Sequence, residues 1–327
     1  MNFLKTIKEM AKQKKRKIVF PEVAFSDRIR RAVLYLKKHG ICDVILIGDE
    51  SSLVMQNKKL KSFTILNPKT FGKIDDLANS LFEIRKHKGM TLDEAQKLIL
   101  DPFYFATMLV KIGYADGMVA GAEVPTATTY RPALQILRNG DEFVSTFMLM
   151  VGKNNLTDNP FVIADPSLVV DPTASQLCEI AERTATIYQQ LTNISPKVAF
   201  LSYSTNSSAK GKSVEIVKSA YDIFTKQYPN ILAQGEIQLD AALVDNVAQT
   251  KLSDDAKYYG KNNVLIFPDL NSANICYKAI SYFGNLCAIG PITVGLEKPV
   301  NDLSRGATVE DIINLTAITV LQCKEKK

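Results

Sequence analysis

The chain alternates short apolar runs with amphipathic stretches, and this alternation predicts an α/β fold. The continuous apolar runs Lys17–Phe20 and Asp43–Ile47 are typical of strands that are buried on both faces of a parallel sheet. Between them, Ser26 precedes a stretch of helical periodicity that ends at His39 and Gly40, so a helix capped at both ends is expected there. The start of the chain is therefore predicted to be a β-α-β unit.

The same pattern continues to the end of the chain. Further strands are predicted at Ser62–Leu66, Ala115–Ala120, Phe143–Val151, Pro160–Ala164, Lys197–Leu201, Asn263–Phe267 and Leu286–Ile289. Helices are predicted at Leu4–Lys15, Ile74–Lys88, from the capping box at Thr91, and at Phe103–Ile112, Thr173–Leu191, Gly211–Gln227, Ile237–Val247, Leu270–Tyr282 and Thr308–Cys323.

One stretch, Gly290–Asp311, is dense in turn-forming residues and is predicted to be a loop that leads into the last helix. It carries Ser304 and Arg305 just before Thr308, a good N-cap, and it places Asp311 in the first helical turn. A hydroxyl, a guanidinium and a carboxylate beside a positive helix end suit an anion such as phosphate with a proton acceptor next to it. The alternative is a structural Arg–Asp ion pair.

A second informative stretch is Gly121–Arg138. It predicts the end of a strand, then a Thr-rich loop, then a helix with Pro132 near its start. Ligands in parallel sheets bind beyond the carboxyl ends of the strands, where Thr126, Thr129 and Arg131 offer hydrogen-bond donors. Helix capping by the threonines and a surface role for Arg131 are an equally weighted alternative.

Composition limits the classes of protein. A chain of 327 residues with 46% apolar and 23% charged residues is ordinary for a soluble protein of two domains, and we place a boundary near Asn139–Gly140–Asp141. Five scattered cysteines, with no Cys-x-x-Cys pair, indicate neither a disulfide framework nor a zinc site and favour a reducing, cytoplasmic location. With only two histidines, His39 and His87, no histidine-based metal site is expected.

The net charge of +6 gives weak support for an anionic partner. The basic start of the chain could be a nucleic-acid arm, but no aromatic residues interleave with it, so a solvated helix face is favoured. No signal peptide, membrane-spanning run, dinucleotide fingerprint or Walker motif is found, and neither membrane nor nucleic acid is expected as a partner.

Several segments resemble those of the phosphate acetyltransferases (phosphotransacetylases), members of the phosphate acetyl/butyryltransferase family, and they occur in that family's order. They are YRPALQIL at 130–137, DPTASQLCEIA at 171–181, LSYSTNSSA at 201–209, GEIQLDAAL at 235–243, FPDLNSANICYK at 267–278 and GPITVGLEKPVNDLSRG at 290–306. The resemblance covers nearly the whole chain, and the Ser-Arg-Gly segment after KPVND is its most specific part.

The resemblance implies a fold of two three-layer α/β/α domains with an interdomain active-site cleft, like that of the isocitrate and isopropylmalate dehydrogenases. The first domain is then discontinuous, with residues 1–141 and 298–327, and the second comprises residues 142–297. It also implies a cytoplasmic homodimer that interconverts acetyl phosphate and coenzyme A with acetyl-coenzyme A and phosphate. No permanently bound cofactor and no metal is implied.

The resemblance also assigns residues. The family's catalytic serine, arginine and aspartate fall on Ser304, Arg305 and Asp311. Positions that bind coenzyme A or phosphate, or that line the cleft, fall on Arg28, Arg85, Arg131, Thr126, Thr129, Tyr277, Lys278 and Asn301. The expected mechanism is direct: Asp311 takes the proton of the thiol, Arg305 stabilises the thiolate and the oxyanion, and Ser304 donates a hydrogen bond. A covalent acetyl-serine route ranks lower, because no base is evident for Ser304.

Departures from the family pattern concern substrate preference. Ala273, Val294, Pro125 and the pair Asn206–Ser207 stand where Gly, Gln, a hydroxyl residue and Gly–Ser are usual. A phosphate butyryltransferase is therefore the alternative within the fold. A regulatory acetyl-coenzyme-A-binding module, as found fused to malic enzymes, is the non-catalytic alternative, and the presence of Ser304, Arg305 and Asp311 argues against it.

Overall fold

The computed structural model describes residues 3–140, 142–152, 159–252 and 256–324. The chain divides into two compact units: the first comprises Met1–Glu142 and Leu296–Lys327, and the second comprises Phe143–Gly295. Asp141, part of the predicted boundary, lies outside the described residues.

The strands of the described chain, in order, are β1 (Lys17–Phe20), β2 (Asp43–Ile47), β3 (Thr64–Leu66), β4 (Gly117–Ala120), β5 (Ser145–Val151), β6 (Phe161–Ala164), β7 (Lys197–Leu201), β8 (Leu232–Ile237), β9 (Val264–Ile266), β10 (Cys287–Val294) and β11 (Val300–Asp302). The helices are α1 (Phe3–Lys14), α2 (Asp27–Lys38), α3 (Glu50–Gln56), α4 (Ile74–Arg85), α5 (Leu92–Leu98), α6 (Pro102–Lys111), α7 (Thr126–Ile136), α8 (Ala174–Thr192), α9 (Lys212–Gln227), α10 (Leu239–Leu243), α11 (Asp245–Lys251), α12 (Leu270–Phe283) and α13 (Val309–Gln322).

The first unit is built on a five-stranded parallel sheet in the order β11-β4-β1-β2-β3. Helices α1, α2 and α13 pack together on one side of it, and α4 to α7 pack together on the other. Because both faces are covered, the strands are apolar along their whole length, as Ile18, Val19 and Phe20 of β1 show. The predicted α/β/α layering is confirmed for this unit.

The second unit contains a six-stranded mixed sheet in the order β10-β5-β6-β9-β7-β8. Strand β5 pairs antiparallel with both β10 and β6, while β6, β9, β7 and β8 are parallel. Helices α8 and α9 cover one face, and α10 and α12 pack into a separate core cluster with strands β5 to β9. This unit is also a three-layer arrangement.

Sequence signals for helix starts are accurate. The capping box predicted at Thr91 is present, with Glu94 bonding back to the Thr91 N–H at 2.8 Å. The Ser26 hydroxyl accepts from the Ile29 N–H at 3.3 Å, and Thr308 caps α13 as predicted. The composition of these first turns therefore fixes where the helices begin.

The prediction that the stretch from Gly290 to the N-cap Thr308 is a loop is wrong in part. Strand β10 runs through Gly290 and Pro291 to Val294, and β11 occupies Val300–Asp302. The register of β10 against β5 shifts between Ile289 and Ile292, and proline is tolerated in a sheet at such an irregularity. Residues 295–299, between the two strands, and residues 303–307, before the N-cap of α13, lie outside the strands.

Two other predicted elements differ. The expected Thr-rich loop is already helix, since α7 begins at Thr126, and Pro132 lies inside that helix rather than near its start. The predicted helix Ile237–Val247 is the end of β8 followed by the two short helices α10 and α11. In both places tertiary packing overrides the local preference of the sequence.

Candidate active site

Three neighbouring strands of the first unit end at one edge of its sheet. From β1 the chain proceeds through α2 to β2 on one side, whereas β4 and β11 lie on the other side of β1. The loops that follow β1 and β4 therefore diverge at a topological switch point, the place where open α/β sheets bind ligands. Residues 21–26, 121–125 and 303–308 form this edge.

The segment after β11 presents two of the predicted catalytic side chains. Ser304 and Arg305 are both exposed, and the turn is closed by an Ala307 N–H that donates to the Ser304 carbonyl at 2.8 Å. The Ser304 Oγ accepts from the Gly306 N–H at 3.3 Å. Helix α13 starts directly afterward, so its positive end lies beside these side chains.

Asp311 is the third residue of α13 and completes its capping box. Its Oδ2 accepts from the Thr308 N–H and from the Thr308 hydroxyl, both at 2.8 Å, while its own N–H donates to the Thr308 Oγ1 at 3.2 Å. The predicted base is thus held in a fixed orientation at the start of the helix and remains partly exposed. Its rotamer is set by the cap.

Arg28 connects two of these loops, residues 121–125 and 303–308. Its Nη1 donates to the carbonyl oxygens of Arg305 (2.8 Å) and Ala307 (2.6 Å), and its Nη2 donates to the carbonyl of Ala122. The guanidinium also pairs with Glu123, at 3.0 Å from Nη2. Arg28 therefore positions the backbone of the Ser304–Arg305 loop; direct contact of Arg28 with a substrate stays a prediction.

Glu22, a residue that sequence reasoning missed, shapes the loop after β4. This side chain is fully buried and accepts three backbone N–H groups, from Gly121 at 2.7 Å and from Ala122 and Glu123 at 2.9 Å each. Burial nevertheless raises the pKa of Glu22 above its ordinary value, and the three N–H groups oppose that rise. Its position two residues beyond a predicted strand was the available signal.

Asp302 was also missed, and it lies under the same edge. The carboxyl is 1% exposed, and desolvation raises its pKa to about 7 against the opposing effect of the Thr129 and Thr126 hydroxyls. Gly121 (φ +98°) leaves room for this carboxyl: a Cβ there would lie 2.0 Å from Asp302 Oδ1. Its place two residues before Ser304 was the only sequence signal.

Arg85 and Arg131 both lie near the side chain of Tyr104. Both guanidinium groups lower the pKa of the Tyr104 phenol, which burial raises, so both lie near that ring. Arg85 also lines a hollow of about 530 Å³, whose other charged lining residues are Lys88, Lys97 and Glu94. Its Nε is buried with no hydrogen-bond partner among the described residues. The two arginines give this part of the unit a positive character suited to phosphate groups.

The structure separates the remaining predicted residues by accessibility. Thr126 is exposed at the first turn of α7, whereas Thr129 is fully buried one turn later. Asn301 is fully buried in β11, and its amide donates to Thr319 Oγ1 at 2.8 Å and to Gln322 Oε1 at 2.7 Å. Its amide therefore holds β11 against α13, and contact of Asn301 with a substrate stays a prediction.

Tyr277 and Lys278 belong to the second unit, on α12. The ammonium of Lys278, which is exposed, lies 5.8 Å from the centre of the Tyr277 ring, and burial raises the pKa of the half-buried Tyr277 phenol. In the same unit, Asn206 (φ 49°) and Ser207 (φ 60°) adopt left-handed backbone. Asn tolerates the left-handed region of backbone conformation, so glycine is not required at position 206.

Within residues 3–140, 142–152, 159–252 and 256–324, no group of three or more His, Cys, Asp or Glu side chains has an arrangement that could hold a metal ion. Over the same ranges, no helix combines the length and hydropathy needed to cross a bilayer.

Comparisons with known proteins agree on one family. The sequence model of a family described as phosphate acetyl/butaryl transferase matches residues 2–320. The chain is 44% identical to a phosphate acetyltransferase from Acetivibrio thermocellus, across the full length of both. The crystal structure of a phosphotransacetylase from Streptococcus pyogenes matches at 40% identity with a TM-score of 0.89, covering 98% of each chain.

A more distant neighbour concerns the fold alone. A structure from Salmonella typhimurium, described as a 4-hydroxythreonine-4-phosphate dehydrogenase, matches with a TM-score of 0.53 at 13% identity, covering 94% of this chain and 99% of the other. The expected likeness to a dehydrogenase fold is thereby confirmed.

Proposed function

The chain belongs to the phosphate acetyl/butaryl transferase family, and we propose that it is a phosphate acetyltransferase whose reaction is carried by Ser304, Arg305 and Asp311. It is an acyltransferase that interconverts acetyl phosphate and coenzyme A with acetyl-coenzyme A and phosphate. The observation that carries the residue assignment is the placement of exposed Ser304 and Arg305 at the capped start of α13. A donor-rich, positive helix end at the carboxyl edge of a parallel sheet suits a phosphoryl group.

The first step concerns the thiol. An alkyl thiol has a pKa of about 8.5, so only a few per cent is thiolate at neutral pH. Asp311 accepts the thiol proton, and the capping box holds its carboxylate in place while it does so. A positioned base of this kind contributes about 10²–10⁴ in rate. Arg305 stabilises the thiolate that forms.

The second step is acyl transfer. The thiolate sulfur attacks the carbonyl carbon of acetyl phosphate, and the carbonyl π electrons move onto oxygen. The oxyanion collapses, the bond from carbon to the bridging oxygen breaks, and phosphate leaves with that electron pair. Arg305 and the N–H groups at the start of α13 stabilise the developing charge, and Ser304 donates a hydrogen bond to the carbonyl or the phosphate. Sulfur thus replaces oxygen on the acetyl group without a covalent protein intermediate.

Positive side chains supply the binding of coenzyme A. Arg85 and Arg131 have the geometry for paired hydrogen bonds to phosphate, and the hollow beside Arg85 adds Lys88 and Lys97. Arg28 contributes by holding the loop, and the remaining proposed contacts are Thr126, Thr129, Tyr277, Lys278 and Asn301. Coenzyme A is a substrate here, and no permanently bound cofactor or metal has a step in this mechanism.

We further propose a cytoplasmic homodimer. Helix α12 exposes Ile275 (66%), Tyr282 (86%) and Phe283 (93%), which are large apolar side chains that a second copy of the chain would cover. All five cysteines are thiols and not disulfide partners, which suits a reducing compartment. Sedimentation of the wild type beside Phe283→Ser tests the dimer: a monomeric variant supports this surface, and an unchanged dimer places the interface elsewhere.

Acyl-chain length is the open choice within the family. Initial rates of thiol consumption with acetyl phosphate and with butyryl phosphate, at equal concentrations, decide it. Faster turnover of acetyl phosphate supports the proposed activity. Faster turnover of butyryl phosphate makes the protein a butyryltransferase, and binding of acetyl-coenzyme A without turnover makes it a regulatory module.

A covalent acetyl-serine route makes a different prediction. Mixing the protein with acetyl phosphate alone would then release one equivalent of phosphate and add one acetyl group to Ser304. Direct attack predicts no phosphate release until coenzyme A is added. Mass spectrometry of the intact protein before and after that addition distinguishes the two routes.

A further inference from the structure

A buried carboxyl that has no assigned role lies two residues before Ser304. We propose that Asp302 is a positioning residue that carries a proton in the active protein and, through it, fastens the first turn of α7 to the loop bearing Ser304 and Arg305. This inference rests on the proposed function of that loop. It assigns no chemical step to Asp302, which touches no substrate.

The carboxyl of Asp302 is confined on every side. Asp302 is the last residue of β11 and is 1% exposed. A Cβ added at Gly121 would lie 2.0 Å from the Asp302 Oδ1, so the carboxyl occupies the space that a side chain at 121 would need. The next residue, Leu303, donates its N–H to the Ala120 carbonyl at 2.7 Å, so the backbone cannot carry the carboxyl away. Oδ1 is buried and has no hydrogen-bond partner among the described residues. A charged oxygen in that position is costly.

Thr129 offers the matching unsatisfied group. Its side chain, one turn into α7, is fully buried, and its Oγ1 also has no hydrogen-bond partner in the described chain. The Thr129 and Thr126 hydroxyls are close enough to Asp302 to act on its pKa, although the Thr129 hydroxyl is not aligned for a bond. A protonated carboxyl is both donor and acceptor, and so is a hydroxyl. A protonated Asp302 can therefore bond with Thr129 in either direction without leaving a negative charge in a buried position.

The neighbouring carboxyl explains why the proton lies on Asp302. Glu22 approaches from the loop after β1 and its charge raises the pKa of Asp302. Three backbone N–H groups donate to Glu22 and stabilise its ionised form. Asp302 Oδ1 has no hydrogen-bond partner among the described residues, and the Thr129 and Thr126 hydroxyls and the Leu303 N–H lower the pKa of Asp302 without offsetting its desolvation. When two buried carboxyls interact, the one with more donors keeps the charge. Other charged groups on the surrounding elements are Glu123, Arg131, Arg305, Glu310 and Asp311.

A neutral Asp302 has a functional consequence. The Ser304–Arg305 loop follows β11 directly and is proposed to bind a phosphoryl group. An ionised Asp302 adds a second buried negative charge beneath that loop and weakens anion binding. It also takes away the proton that Asp302 can donate to Thr129, so the Thr129 hydroxyl can then bond to Asp302 only as a donor. The KM for acetyl phosphate should therefore rise as Asp302 loses its proton, while the neutral isostere Asp302→Asn should be insensitive.

The test is a comparison of KM for acetyl phosphate across pH. From about pH 6 to about pH 9, the wild type is expected to show a rise of about tenfold, and Asp302→Asn a rise at least several-fold smaller. Titration of the substrate and of the thiol is common to both proteins and cancels. Asp222→Asn, an exposed carboxylate on α9, serves as the control and should follow the wild type.

Changes at Thr129 supply the second arm. Thr129→Val removes the hydroxyl at nearly constant volume and should raise KM about tenfold at low pH, while Thr129→Ser should restore it. The double variant with Asp302→Asn should be no worse than Thr129→Val alone, because the neutral amide removes no link beyond the one that Thr129→Val already removes. Parallel pH profiles for the wild type and Asp302→Asn, or additive effects in the double variant, would overturn the proposal.

Infrared spectroscopy separates this inference from the proposed function. A protonated buried carboxyl gives a carbonyl stretch that Asp302→Asn lacks and that disappears from the wild type on raising the pH. If the wild type proved unable to turn over acetyl phosphate, the proposed function would fail, yet this band would still report whether Asp302 holds a proton. Absence of the band at about pH 6 contradicts the proposal directly.

Discussion

The Nη1 of Arg28 donates a hydrogen bond of 2.8 Å to the backbone carbonyl of Arg305, so one arginine positions the loop that presents the other. Lysine cannot reproduce this planar set of donors. Arg28→Lys is therefore expected to lower kcat by about tenfold or more and to destabilise the fold by about 2 kcal/mol, since bonds from charged donors are lost.

Chemical denaturation and initial rates measure the two effects of Arg28→Lys. Arg30→Lys, on the same helix, is a suitable control, because Arg30 bonds to Val23 and Gln56 and not to the Ser304–Arg305 loop. Equal losses of kcat in both variants would show that the loop does not depend on Arg28.

Asp311 has two roles that substitution can separate. Asp311→Asn keeps an oxygen that can accept from Thr308 but cannot take a proton, so kcat should fall about 10²-fold or more with little change in stability. Thr308→Ala removes the cap and should cost about 1 kcal/mol of stability with a smaller effect on kcat. Stopped-flow thiol assays and thermal melts compare them. A larger kcat loss in Thr308→Ala would mean that Asp311 matters chiefly as a cap.

The raised pKa of Asp302 predicts how stability varies with pH. The folded-state pKa of about 7 exceeds the unfolded value of about 3.9, so the folded protein binds more protons between these limits. Stability is fully present below the unfolded pKa and falls as pH rises through the folded pKa. Relative to Asp302→Asn, the wild type should lose a few kcal/mol, on the order of 3, between about pH 4 and about pH 8.

Urea denaturation of both proteins at each pH measures this difference. Carboxyls that do not interact with Asp302 contribute equally to both proteins, so their contributions cancel. A difference that stays constant with pH would contradict a raised pKa at Asp302.

Gly121 should not tolerate a side chain. Its φ of +98° lies in the region that favours glycine, and a Cβ would lie 2.7 Å from the Leu303 N–H in addition to its clash with Asp302. Gly121→Ala should therefore cost about 2–4 kcal/mol and displace the loop after β4. Gly72→Ala, where a Cβ meets nothing within 4 Å, is the matched control. Similar melting temperatures for the two variants would contradict the prediction that Gly121 does not tolerate a side chain.

Much of the fold could be predicted from the sequence because local signals agreed with the tertiary structure. The apolar run Asp43–Ile47 and the cap at Ser26 need no distant partner to be recognised. Strand β11 was hidden because Asn301 and Asp302 are poor strand formers, and only pairing with β4 makes three residues extended. The same holds for β10, where an irregularity accommodates Gly290 and Pro291.

Part of the candidate active site could be predicted from the sequence for the same reason. Ser304 and Arg305 precede a recognisable cap, so their loop and the place of Asp311 followed from local sequence. Glu22 and Asp302 could not be found, since the burial of a carboxyl depends on chain segments about 100 or more residues away, such as the N–H groups that Gly121 and Ala122 present to Glu22. The partners of Arg28 are backbone carbonyls, which carry no sequence signal at all.

The central claim is that the Arg305 guanidinium carries acyl transfer between acetyl phosphate and coenzyme A. The most direct measurement is kcat for thiol consumption with acetyl phosphate in the wild type, Arg305→Ala and Arg305→Lys, each shown to be folded by thermal melting. Because the side chain is exposed, its removal should leave the fold intact. The account predicts a fall of at least about 10²-fold in Arg305→Ala, with partial recovery in Arg305→Lys. A folded Arg305→Ala variant with nearly wild-type kcat would contradict it.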